Sequence, residues 1–321
     1  MSPEQGALIE AVRSLMDNRA DSAAVRRSNG FDAELWRTMA EQIGVAALPI
    51  PEEHGGAGAC IVESALVLEE IGYRLAPVPL LSSLIAAHAT DDPALLERIA
   101  SGEVTAVVDL ARPSEPVLDV PDATLLLGLA AERTVLLDES ITRAQQTHHS
   151  SATNPSLDPT LRFGRVAPSA GTSVSGDPQR AREAALIGLT ALAAGCARRG
   201  LDMTVAYAKQ REQFGRKIGS FQALKHRMAD MLVLVESTTS AARAAARGDL
   251  APAAAAAYAK EAVAWVAAET IQLHGGIAIT WEHDAHLVFK RAHALGQLFG
   301  QAHELRRRAL ATYVEDYSAS R

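Results

Sequence analysis

The stretch Arg211-Glu-Gln-Phe-Gly-Arg-Lys-Ile-Gly-Ser-Phe-Gln222 decides the reading of this chain. A helical pattern ends before it, a glycine-containing turn runs through it, and a new helix starts at Phe221. A fresh helix N-terminus offers unpaired amides and partial positive charge, which suits a phosphate. Arg211 adds a planar fork of donors that fits two phosphate oxygens. Gln213 and Gln222 supply hydrogen-bonding groups, and Phe214 offers a flat face for a ring. The same residues also suit a plain helix hairpin with a surface arginine. Further along stands Gln272-Leu-His-Gly-Gly276. Its glycines let backbone approach a ligand closely, or simply end a helix. Together the two segments read as a mount for a diphosphate.

Both lie in a strongly helical C-terminal part. Asp177 followed by Pro178 is an N-cap with proline in the first turn, opening a helix that runs toward Arg211. Ser220 is placed to cap the next helix, which ends near Gly248. Asp249 starts a third, through an alanine run to Leu273, and a fourth covers 284–314. Four long amphipathic segments with short connections make an antiparallel four-helix bundle.

Residues 1–101 read as an N-terminal helical domain. Leu35, Met39 and Ile43 form an apolar stripe at helical spacing, and Gly44 stops that helix. Pro49-Ile-Pro-Glu-Glu-His-Gly-Gly-Ala-Gly58 is a loop by its Pro and Gly content. A second helix runs from Val62 to Ile71 and stops at Gly72. Residues 102–170 change character. The runs at 104–110, 124–129 and 133–137 are strand signals and suggest a small, reduced β domain. Residues 148–159 read as a loop, and 171–321 as the bundle.

Composition agrees with a mainly α fold. Aromatics are 4% and alanine is abundant, which favours close-packed helices over an all-β fold. A net charge of −7 argues against general nucleic-acid binding. Arg306-Arg-Arg308 reads as a solvated helix face. Cys60 and Cys196 have no metal or CxxC spacing, which suits structural thiols in a reducing compartment. No leader pattern and no uncharged 18-residue apolar run are found, so a cytoplasmic chain without a membrane span is expected. His283, His286, His293 and His303 lack the carboxylate pattern of a metal bundle, so no metal is expected. His226 reads as a helix-surface residue, and Trp36 and Trp265 as core.

Three features resemble the acyl-CoA dehydrogenases. Pro51-Glu-Glu-His-Gly-Gly-Ala-Gly58 looks like that family's N-terminal loop. Arg211-Glu-Gln-Phe-Gly215, Phe221-Gln222 and Ala229-Asp-Met231 look like its R-x-x-FG, FQ and ADM signature. Gln272-Leu-His-Gly-Gly276 looks like its Q-x-x-GG motif. The resemblance covers most of the chain, least in the middle. It implies a helical domain, a β domain and a C-terminal four-helix bundle, assembled as a dimer of dimers with FAD between subunits. Arg211, Gln213, Phe214, Gln222, Gln272, Gly275 and Gly276 would then hold the adenosine diphosphate part of a flavin whose ring sits mainly on the neighbouring subunit. The family reaction removes two hydrogens from an acyl-CoA. A glutamate takes the α-proton, and the β-hydride goes to the flavin.

The chain departs from the family where that glutamate belongs. Aligning Arg291 with the family arginine places Gly300 at the position of the base, Gln301 at the next and Ala302 after it. Some members place the base near the start of the first bundle helix. Counting back from Arg211 puts that position near Ala185, two residues from Glu183 and turned off its face. Glu183 is therefore a weak candidate base, and a solvated first-turn glutamate is the simpler reading. No T-E-P-x-x-G-S-D stretch embraces the flavin ring. The chain thus resembles the base-lacking subunit of the actinobacterial α2β2 enzymes of steroid side-chain degradation. The implied substrate is a CoA thioester, with a sterol side chain as one candidate. The implied partner is a second acyl-CoA dehydrogenase-like subunit. The alternative is a catalytically silent homo-oligomer that binds FAD or a CoA thioester.

Overall fold

The computed structural model describes residues 1–137, 156–166 and 171–319. The chain divides into two compact units, Met1–Leu68 with Ala76–Gly188, and Glu69–Leu75 with Leu189–Arg321.

The first unit opens with α1 (Pro3–Arg19), closed at its N-terminus by a capping box between Ser2 and Gln5. Then come α2 (Ser22–Arg27) and α3 (Ala33–Thr38), whose N-cap Asp32 accepts from the Leu35 amide at 2.9 Å. The single helix expected over 32–43 widens into a π turn at Met39–Ile43 before Gly44, at φ +75°, ends it. Trp36 is core, and its indole donates to the Gly102 carbonyl at 2.7 Å. The unit continues with α4 (Ile61–Arg74), α5 (Leu80–Ala89) and α6 (Pro93–Ala100).

The β strands are β1 (Thr105–Asp109), β2 (Val117–Leu118), β3 (Leu125–Leu129), β4 (Thr134–Leu137), β5 (Phe163–Gly164) and β6 (Gly171–Val174). The main sheet has order β1-β3-β4-β6, parallel only between β1 and β3. A separate ribbon pairs β2 with β5. Ala106, Val108, Leu126 and Val135 share one buried cluster with Val117 and Val166. The three long apolar runs form strands as expected. β6 lies beyond the expected boundary at residue 170, and its polar Gly-Thr-Ser-Val pattern carries no strand signal. Of the expected loop at 148–159, residues 148–155, including His148 and His149, lie outside the described residues. The long helix α7 (Pro178–Gln210) opens in this unit, with the Asp177 carboxylate accepting from the Gln179 amide at 2.8 Å. Arg182 on its first turns forks onto Asp109 of β1 at 3.0 and 3.1 Å.

The second unit holds the rest of α7, the hairpin strands β7 (Glu212–Gln213) and β8 (Arg216–Lys217), α8 (Gln222–Ala246), α9 (Pro252–His274), α10 (Ala285–Gln297) and α11 (Ala302–Ala319). The end of α4 packs here against α7. A Cβ at Gly72 would meet the Leu192 carbonyl oxygen at 2.2 Å, and one at Gly195 the Glu69 carbonyl oxygen at 1.9 Å. That contact corrects the expectation that Gly72 stops its helix: the glycine is there for close approach, and the helix runs on to Arg74. Arg198 joins the buried carboxylates Glu69 and Glu70 at 3.2 and 2.8 Å.

Two further expectations are corrected. Residues 284–314 are not one helix, because the chain breaks between Gln297 and Ala302. Trp265 is 40% exposed rather than packed in the bundle. By length and hydropathy, α7 and the segment Pro252–Ile279 would suit a membrane, but 89% of the α7 window is buried, as in a core helix of a bundle.

Candidate functional site

The Arg211 segment folds as a tight hairpin. β7 and β8 pair antiparallel, Glu212 opposite Lys217 and Gln213 opposite Arg216. The two turn residues both have positive φ, +53° at Phe214 and +75° at Gly215, the geometry of a type I′ turn. The Ile218 amide closes the base onto the Arg211 carbonyl at 2.8 Å. Lys217 bridges Glu212 at 2.6 Å and donates to the Gln210 carbonyl at the negative end of α7. That hydrogen bond from Lys217 holds the Glu212 carboxyl below its usual range.

The hairpin raises its tip away from the bundle. Phe214 is 92% exposed, an unusual position for a large apolar ring. It meets Phe221 edge-on with centroids 6.2 Å apart, and the Arg216 guanidinium lies 3.9 Å above the Phe221 ring. Arg211 is exposed and, among the described residues, its guanidinium is without a partner. Gln213 spends one amide hydrogen on the Glu212 carbonyl at 2.7 Å. Ser220 does not cap α8. Its hydroxyl donates back to Lys217, Phe221 takes the N-cap position, and no side chain covers the first amides of α8.

The second motif sits at the same end of the bundle. Tyr207, on the last turn of α7, stacks on His274 at the end of α9 with centroids 4.6 Å apart. His283 also packs on His274, at 4.6 Å, and meets Tyr207 edge-on with centroids 6.1 Å apart. Arg227, on the second turn of α8, forks onto Glu269 of α9 at 2.6 and 2.7 Å. These contacts gather the end of α7, the start of α8 and the end of α9. His274 is buried, its Nδ1 bonds the Thr270 carbonyl at 2.7 Å, and burial holds its pKa below the usual histidine value. It is therefore a neutral prop under the turn. Gly275 follows at φ +67°, and a Cβ at Gly275 or Gly276 would meet nothing within 4 Å. Gln272, Gly275 and Gly276 are exposed.

Comparison with known proteins identifies the family. Residues 2–103 match the model of the acyl-CoA dehydrogenase N-terminal domain, and residues 183–312 that of the C-terminal domain. Acyl-CoA dehydrogenase IpdE2 of Mycolicibacterium smegmatis is 42% identical over 319 residues, covering 96% of this chain and 98% of the relative. The chain belongs to the acyl-CoA dehydrogenase family. Among solved structures, the Tcur3481-Tcur3483 steroid ACAD superposes with TM-score 0.79 at 25% identity, covering 98% of this chain and 99% of that one. The ChsE4-ChsE5 complex from Mycobacterium tuberculosis gives TM-score 0.77 at 24% identity over 98% of each chain. The mainly helical fold with its small sheet is that of the family.

Acyl-CoA dehydrogenases are FAD-dependent flavoproteins, and the residues present fit the nucleotide half of FAD. Arg211 has an uncommitted fork for diphosphate oxygens, Phe214 an uncovered face for a ring, and Gly275 and Gly276 an open approach to backbone. Gln213, Gln222 and Gln272 bring exposed amides to the same end. All seven expected residues are thus exposed on one end of the bundle. Arg216, Lys217, Tyr207 and His274 were not singled out for this site. The first two stood in the quoted stretch as basic residues; the stack of Tyr207 on His274 joins distant positions and has no local signal.

The expected position of the base is a turn, not a helix. Phe299 has φ +56° and Gly300 φ +92°. A glutamate at 300 would be strained in that backbone, so the geometry itself suits glycine. Residues 298–301 are Leu, Phe, Gly and Gln, so a shift of one residue in alignment still brings no carboxylate. Glu304 is exposed and caps α11, accepting from the Gln301 amide at 3.1 Å. Glu183 is exposed and accepts from Gln179 at 2.8 Å, while Ala185 is buried. Cys60 and Cys196 form no disulfide; the first is exposed and the second buried.

Proposed function

We propose that this chain is the base-lacking subunit of a cytoplasmic heteromeric acyl-CoA dehydrogenase. In this reading the assembly removes two hydrogens across the α,β bond of a CoA thioester, a sterol side-chain thioester being the favoured substrate. FAD is shared across subunits, with this chain gripping its adenosine diphosphate end. An unlike partner supplies the carboxylate that takes the α-proton. The single observation that carries the reading is that exposed groups suited to a diphosphate gather at one end of the bundle while the 298–301 turn offers no acid.

Two further points support it. The mount lies at the C-terminal end of α9, whereas the 298–301 turn is hydrogen-bonded to Lys260 in the first half of that helix. At 1.5 Å per residue the 14 positions between Lys260 and His274 span about 21 Å, so the grip and the reacting region are separate parts of the chain. The heteromeric steroid relative also shares fold and sequence over nearly the whole chain.

The test is purification alone and with a second acyl-CoA dehydrogenase-like chain that carries a glutamate at the base position. Flavin colour and acyl-CoA-dependent dye reduction in the mixture, and no activity from this chain alone, support the proposal. One FAD per chain with full activity alone refutes it. Bound flavin that no acyl-CoA bleaches, with or without a partner, would favour the silent homo-oligomer.

A further inference from the structure

Lys260 is 4% exposed. Its Nζ donates to the carbonyls of Gly296 at 3.2 Å, Leu298, and Gly300 at 2.6 Å. An ammonium has three donors, and three converging carbonyls meet them. These carbonyls lie at and just beyond the C-terminal end of α10, where the helix dipole favours a cation. No proline interrupts 285–319, yet the helix breaks here and Phe299, half-buried, takes a left-handed backbone. A non-glycine residue stays in that region only where its surroundings over-determine it. The buried ammonium is the surrounding group that does so.

We infer that Lys260 is a positioning residue, whose ammonium gathers the three carbonyls, breaks the α10–α11 helix and fixes the turn bearing Phe299 where this chain meets the acyl part of the CoA thioester. The clamp itself stands on the geometry. The statement that the turn meets the acyl group rests on the proposed function above.

The experiment compares wild-type and Lys260→Met chains, free and in the FAD-loaded complex. Methionine keeps length and apolar bulk but leaves the carbonyls without a donor. Amide hydrogen exchange at 298–301 should quicken about tenfold or more, the loss expected of hydrogen bonds to a charged group. In the complex, KM for acyl-CoA should rise about tenfold with little change in kcat, while flavin content holds because the mount is at the other end of α9. Unchanged exchange overturns the clamp. Quickened exchange with unchanged KM overturns the positioning role. A wild-type complex that turns over no acyl-CoA is instead a failure of the functional reading, and the exchange comparison still decides the clamp. If the methionine variant does not fold, Lys260→Ala is refolded with n-propylammonium or with 1-propanol. Recovery with the cation alone supports the clamp; equal behaviour in both overturns it.

Discussion

Replacing Phe214 with asparagine separates stability from cofactor binding. Phe214 sits at φ +53° on a hairpin tip, beside Gly215 at φ +75°. A left-handed backbone costs an ordinary side chain about 1–2 kcal/mol, whereas asparagine adopts it readily. Asparagine followed by glycine is moreover the preferred pair for a type I′ turn. The ring is 92% exposed, so its removal gives up little burial within the chain. Phe214→Asn should therefore stabilise the isolated chain by about 1 kcal/mol, or roughly 1–2 °C in a thermal melt of a chain this long. Stacking of an aromatic side chain on a base is worth about 1–3 kcal/mol, so FAD affinity of the assembled protein should fall about 5- to 150-fold. Circular-dichroism melts of the chain and FAD titration of the complex read the two effects. A variant that melts lower than the parent refutes the strain argument. A variant that stabilises yet binds FAD as before refutes the placement of Phe214 against the nucleotide.

Other outcomes follow from the same geometry. Gly195→Ala forces a Cβ to within 1.9 Å of the Glu69 carbonyl oxygen and should destabilise the chain by about 1–3 kcal/mol in denaturant titration; a neutral result would show that the α4–α7 contact yields. His88 and His274 are held below their ordinary value of 6.5 chiefly by burial. Below that pH the unfolded chain binds more protons than the folded one, so stability falls with acidification. The melting temperature should drop as pH goes from about 7.5 to about 5.5, and His274→Asn should flatten part of that slope; an unchanged slope would remove His274 from the account. Glu183→Gln should leave acyl-CoA turnover of the complex within about twofold, as for a solvated surface residue, and abolished turnover would make Glu183 the base after all.

Much of the site was legible because its residues are close in sequence. Arg211 to Gln222 is one continuous stretch, and Gln272 to Gly276 another, so the expected cofactor residues could be named before their geometry was known. The hairpin was not, because phenylalanine is a poor signal for positive φ and the strands are two residues each. The cap at Asp177 and the stop at Gly44 were readable as local chemistry. The stop at Gly72 failed because helix-to-helix approach and helix termination both select glycine. The break after Gln297 was not read because Gly296 and Gly300 are weak signals alone, and the Lys260 that bonds their carbonyls stands 36 and 40 positions away. β6 was missed because Gly171, Thr172 and Ser173 form an exposed strand without an apolar face. Trp265 was misplaced because a tryptophan among alanines reads as core, whatever face of the helix it occupies.

Anaerobic addition of an acyl-CoA to the flavin-loaded protein tests the division of labour most directly. The flavin absorbance should bleach when this chain is assembled with a partner carrying the glutamate, and should persist when that glutamate is changed to glutamine. Bleaching by this chain alone, with FAD bound and no second subunit present, would contradict the account.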